Sequence, residues 1–180
     1  MTGTKTPERF TIGKPRRLTL AIDPGVHACG CALFRDDELA LAEYVKEWVS
    51  EHSWSGTGAA VWDWVIKANW DPQHHKTLVI EKPQIYPGPR QENPNNLLDL
   101  TGVGGYIAGC VGADRLVTVL PRQWKGQVPK ASMNDRIYSK LSEVERGRVI
   151  RVGAKDHNTI DAVGIGLFHL GRLGAYTVRR

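Results

Sequence analysis

Residues 18–25 read LTLAIDPG, and this stretch decides how the rest of the chain is read. Leu18–Ile22 are strand formers. The run ends on one acid, Asp23, and Pro24-Gly25 then stops the strand. A carboxylate at the end of a buried strand costs free energy unless something compensates it. Taken alone, Asp23 is a turn former. Working outward, His27–Phe34 reads as a second strand, Arg35–Glu38 as a turn and Leu39–Val45 as a third strand, an antiparallel meander. Gly56–Trp70 reads as a helix with apolar residues nearly all round, hence buried on more than one side. Lys76–Glu81 is a fourth strand that ends, like the first, on an acid.

A Pro/Gly/Asn-rich loop follows over Lys82–Asn96, with Asn95 or Asn96 placed to cap a helix from Leu97 to Gly112. Arg115–Leu120 is a fifth strand. Pro121–Lys130, PRQWKGQVPK, is expected to be a loop with little regular structure. A short helix is expected over Ser132–Leu141 and a last one from Asp156 to about Leu173. Three antiparallel strands followed by alternating helices and strands imply an α/β fold. Its sheet is five-stranded and mixed, with helices on both faces.

The 180 residues, 41% of them hydrophobic, suit one domain, expected over residues 17–180 behind a loose basic tail at 1–16. That tail does not have the form of a signal peptide, and no apolar run reaches membrane-spanning length. The three cysteines, Cys29, Cys31 and Cys110, match no usual zinc or disulfide pattern, which points to a cytoplasmic location. The formal net charge is +5, and it is unevenly spread. Asp36–Asp71 holds eight acids and two bases, whereas Arg115–Lys155 holds ten bases and three acids. The basic half is suited to a polyanionic partner.

The acids converge by topology. Ligand and reaction sites in mixed α/β sheets form at strand ends. Asp23 and Glu81 become neighbours if strands one and four pair, and Asp161 in DHNTIDAVGIG lies near the start of the last helix, where the helix dipole favours an acid. His157 at i−4 and Asn158 at i−3 share its face. Taken singly, each acid has a plain structural reading: a turn, a strand-end ion pair, a helix-terminal acid. Together they form an oxygen-rich set suited to Mg²⁺ or Mn²⁺. Two such ions about 4 Å apart are a usual means of in-line phosphodiester hydrolysis.

LAIDPG, LVIEKPQ and HNTIDAVGIGL resemble the acidic motifs of the RuvC-type Holliday-junction resolvases, in the RNase H-like nuclease and integrase superfamily. The likeness runs over roughly Arg17–Leu173, and the compact form is similar to bacteriophage-type members. It implies an RNase H-like fold and a catalytic, metal-binding set of Asp23, Glu81 and Asp161, with Mg²⁺ or Mn²⁺, two ions per site. Family members place an Asp or His about one turn before the last acid. Here Asn158, a weak ligand, stands at i−3, so His157 is taken as the fourth ligand and Asp156, also a natural helix N-cap, as its alternative. The resemblance also implies a bacterial or phage-infected host cell and association with its nucleoid.

Lys125 and Lys130, flanking GQVP, are candidate phosphate contacts, with Arg122, Arg136 and Lys140 weaker ones. The resemblance implies an aromatic stacking on a base near the junction centre; Tyr86 is the candidate, with Arg90 in the same loop. Gly102, Gly104, Gly105 and Gly109 are unusual within a helix and allow close approach. They suggest packing either against a two-fold mate or against the chain's own sheet. The expected function is cleavage of branched DNA, above all the four-way junction, by a homodimer. The alternatives are flaps, forks or RNA–DNA hybrids as substrate, or a non-catalytic DNA-binding module.

Overall fold

The computed structural model describes residues 17–47, 54–71, 73–84, 94–150, 153 and 156–174, the side chains of Pro94 and Asp156 excepted. The expected tail at 1–16, together with Tyr86, Arg90 and the Asp156 side chain, lies outside the described residues. The strands are β1 (Arg17–Asp23), β2 (Ala28–Arg35), β3 (Glu38–Lys46), β4 (His75–Glu81) and β5 (Arg115–Val119). The helices are α1 (Trp54–Lys67), α2 (Pro94–Cys110), α3 (Pro121–Trp124), α4 (Lys130–Ser139), α5 (Glu143–Gly147) and α6 (Asp156–His169).

The sheet order is β3-β2-β1-β4-β5. β1 pairs antiparallel with β2, and β2 with β3, as a meander requires. β1 pairs parallel with β4, and β4 with β5, which the intervening helices make possible. β1 is central, and its residues Leu18–Ile22 are buried on both faces, so it reads as a continuous apolar run. Alternate residues feed two cores. Leu18, Leu20 and Ile22 point to the side that holds Val61, Trp64, Val103 and Ile107 of α1 and α2. Ala21 faces the other side, with Trp124, Ile137, Ile160 and Val163. Helix α6 thus covers one face of the sheet, and α1 and α2 the other.

Three expectations need correction. Helix α2 begins at Pro94, so Asn95 and Asn96 lie in its first turn rather than capping it. PRQWKGQVPK is not an irregular loop: Pro121–Trp124 forms a helical turn with Pro121 and Trp124 buried, and Lys130 already begins α4. Proline is pre-set for a first helical position, and the Gln123 side chain accepts the Leu120 N–H at 2.6 Å. The last helix ends at His169 rather than near Leu173.

Helix α5 was not anticipated. Ser142 caps it, with Glu145 completing a capping box. The Glu145 carboxylate is only 3% exposed, and it accepts from Leu39 N (2.9 Å), Ser142 N (2.9 Å), Arg172 Nη1 (2.6 Å) and Arg172 Nη2 (2.9 Å). Arg172 also donates to the carbonyls of Asp37 and Lys140. This clamp ties the segment after α6 to α5 and to the start of β3. Burial alone would raise the Glu145 pKa, but these donors overcome it and hold it at about 2.

A depressed carboxylate pKa adds stability above the unfolded value, roughly 4.3, and that stability is lost as pH falls towards the folded value. Glu145→Gln is therefore expected to lower stability at pH 7 by about 2–3 kcal/mol, read as a Tm drop of roughly 4–12 °C. The gap between wild type and variant should close as melts are taken from about pH 4.3 towards pH 2.

Candidate active site

Three acids from three elements meet at one end of the sheet. The β1/β4 register sets Ile22 beside Ile80, so Asp23 and Glu81, the next residue on each strand, end side by side. Asp161 enters from α6, whose N-terminal part crosses β2. That crossing is close. A side chain on Gly30 would collide with the Asn158 carbonyl and come within 2.9 Å of the Thr159 nitrogen. Gly30 is the register partner of Asp23, so the absent side chain lets α6 lie low enough for Asp161 to reach the strand ends. Gly25 is needed for the turn itself, since a Cβ there would strike the Ala28 carbonyl.

Asp23 is half-buried, while the Glu81 and Asp161 side chains are 14% and 16% exposed. Trp124, fully buried, donates its indole N–H to Glu81 Oε2 at 2.6 Å. Its ring packs over α6, where a Cβ on Gly164 would stand 2.5 Å from it. The Lys125 ammonium lies 3.4 Å from Asp161 Oδ2, 3.8 Å from Glu81 Oε2 and 4.8 Å from the centre of the Trp124 ring.

Burial, then the charges of Glu81 and Asp161, push the Asp23 pKa well above the usual carboxylate range, partly offset by Lys125 and Lys130. Burial also raises Glu81. Lys125 and the Trp124 N–H work against that rise, and Asp161 adds to it. For Lys125, burial alone would lower the pKa, but the three carboxylates outweigh it and the net shift is upward. Nearby Cys29 and Cys31 are buried, and burial lifts the Cys29 thiol to about 12, so it stays an unreactive thiol.

The other sequence candidates fall as follows. Lys130 is exposed at the start of α4, within electrostatic reach of Asp23. Arg122 is exposed on α3. Arg136 donates to the carbonyls of Leu173 and Gly174, a structural role. Asn158 turns its amide towards the β1–β2 turn, its Nδ2 lying 4.0 Å from where a Gly25 Cβ would stand. His157 is half-buried and makes no hydrogen bond or ion pair among the described residues. Trp124 escaped the sequence reading because it sat in a supposed loop. The available signal was Pro121 directly after a strand, which starts a helical turn and aims the residue three positions on back at β4.

The donor chemistry suits a hard divalent cation: oxygens only, from three acids under mutual repulsion, with an ammonium already against two of them. Among the described residues no three His, Cys, Asp or Glu side chains already stand in ion-binding arrangement.

Solved structures share this overall fold. RuvC of T. thermophilus in complex with Holliday junction substrate aligns with a TM-score of 0.63 over 90% of this chain and 99% of that one, at 16% identity. The chain has the RuvC fold. A further Thermus thermophilus RuvC structure aligns at TM-score 0.57 and 15% identity, covering 89% of this chain and 99% of that one. The yeast mitochondrial Holliday junction resolvase Ydc2 aligns at 0.54 and 12%, covering 88% and 81%. No protein-family model matches the sequence, and no curated protein matches it. The RuvC likeness is therefore one of RNase H-like architecture carried by a distant sequence.

Two variants test this geometry. A raised folded-state carboxylate pKa means that stability is lost as pH rises from the ordinary carboxylate value, about 4, towards the raised one. Asp23→Asn removes that charge and should raise Tm by a few degrees at pH 7 in chelator, with the gain vanishing below about pH 4. A drop in Tm at pH 7 would mean that contacts of Asp23, not its charge, dominate. Gly30→Ala should lower stability by about 2 kcal/mol, roughly 4–8 °C in Tm, because the helix must lift from the sheet.

Proposed function

We propose that this chain is a metal-dependent, structure-selective DNA endonuclease that resolves four-way junctions by paired, symmetric cuts. The observation that carries the reading is the convergence of Asp23, Glu81 and Asp161 at the end of the sheet, with the Lys125 ammonium against the latter two. The RuvC fold and the bases of residues 115–155 support it.

In this reading Asp23, Glu81 and Asp161 hold Mg²⁺ or Mn²⁺, two ions per site, with His157 or Asp156 completing the set. Bound there, the metal would supply a water of lowered pKa and charge stabilisation for the leaving oxygen. The chain's own groups do the rest. Trp124 holds one Glu81 oxygen in place, so that carboxylate is oriented before anything binds. Lys125, Lys130 and Arg122 take phosphates of the strand to be cut. Tyr86 stacks on a base near the junction centre, and Arg90 contacts the same arm.

Two symmetric cuts need two sites, which a two-fold dimer supplies. Helix α2 supports this only in part. A Cβ on Gly102 would stand 3.1 Å from the Trp54 ring and one on Gly104 3.8 Å from Ile80, so both positions face the chain's own core. A Cβ on Gly105 or on Gly109 would meet no described residue within 4 Å, which leaves room there for a partner.

The test is cleavage of synthetic four-way junctions, flaps, forks, linear duplexes and RNA–DNA hybrids in Mg²⁺ and in Mn²⁺. Paired nicks across the junction are expected, with Asp23→Asn and Asp161→Asn each slower by on the order of 10³-fold. Faster cleavage of flaps or hybrids would reassign the substrate. Junction binding without cleavage in either metal would make the chain a DNA-binding module.

A further inference from the structure

The position of Lys125 carries more than phosphate contact. Its ammonium bridges Asp161 and Glu81, at 3.4 and 3.8 Å, on the face of the Trp124 ring. The side chain is 31% exposed, so it has a path out to solvent. Glu81 does not depend on Lys125 for its place, since the Trp124 N–H holds the same Oε2 from a fully buried ring. One partner is therefore fixed and the other can leave.

We propose that Lys125 is an internal counterion that occupies the cation position of the metal-free site, and that metal entry releases it towards DNA. The inference rests on the metal-binding reading given above. The ammonium neutralises the acids and keeps them folded together while no ion is bound. A divalent cation competes for the same carboxylate oxygens and, with twice the charge, displaces it. The freed ammonium then meets the nearest anion, a DNA phosphate, beside Lys130 on α4. Metal and DNA thereby help each other bind, and linkage makes the effect reciprocal. Each ligand relieves the cost of breaking the same ion pairs.

The experiment measures Mn²⁺ binding by electron paramagnetic resonance without DNA, on wild type, Lys125→Met, Lys125→Gln and Asp161→Asn. All should first show native circular dichroism. Removing the competing cation should tighten Mn²⁺ binding roughly tenfold in Lys125→Met and in Lys125→Gln. In parallel, fluorescence anisotropy of a labelled junction with Ca²⁺ or with chelator should show Ca²⁺ strengthening binding several-fold in wild type. That gain should shrink in both Lys125 variants. Mn²⁺ affinity unchanged or weaker in both Lys125 variants, with Asp161→Asn abolishing it, overturns the counterion and leaves the metal site standing. Mn²⁺ binding that survives Asp161→Asn overturns the metal site itself.

Discussion

The structure turns on one close crossing, the N-terminal part of α6 lying on β2 at Gly30. Backbone meets backbone there, with the Asn158 carbonyl in the space a side chain would fill. Sheets usually hold a covering helix off by the thickness of two side-chain layers. Without a side chain at Gly30, the helix descends at one end, and Asp161 arrives level with the ends of β1 and β4. Further along, Gly164 makes room for Trp124, and Gly166 for Phe34. The same helix is therefore shaped by its neighbours along its length, and the Arg172–Glu145 clamp secures the chain just beyond its far end.

The convergence of the acids sets a conflict between stability and chemistry. Three carboxylates at partly buried positions disfavour the folded state. The fold tolerates them because neighbouring groups share the load: the Trp124 N–H on Glu81 and the Lys125 ammonium on Glu81 and Asp161. Asp23, with neither contact, carries the strongest upward pressure on its proton. The surrounding packing and these few contacts together hold in place three carboxylates that repel one another.

Much of this was legible beforehand, for identifiable reasons. The meander follows from local pattern, and the strand-end and helix-start positions of Asp23, Glu81 and Asp161 were readable too. That β4 returns parallel beside β1 was only a condition in the sequence, which the register of the two strands meets. Trp124 and α3 were not legible, because a short Pro-initiated turn leaves no periodic signal. The Glu145–Arg172 clamp was hidden for another reason: its partners are 27 residues apart and meet only through the tertiary fold. The role of the helical glycines split the same way. Composition marked all of α2's glycines as unusual, but only packing separates Gly102, which faces Trp54, from Gly105 and Gly109, where a Cβ would meet no described residue within 4 Å.

The β1–β4 pairing has a consequence in time as well as in space. Leu18 finds Lys76 and Ile22 finds Ile80 across more than fifty residues of chain, and α6 completes the site from farther still. Contacts of such long sequence separation form slowly and late, after the local meander of β1, β2 and β3 can already exist. A half-folded chain would hold Asp23 at the end of a formed strand with neither Glu81 nor Asp161 beside it. Assembly of the acids is thus a readout of complete folding, and a molecule that has not finished folding has not yet brought its three acids together.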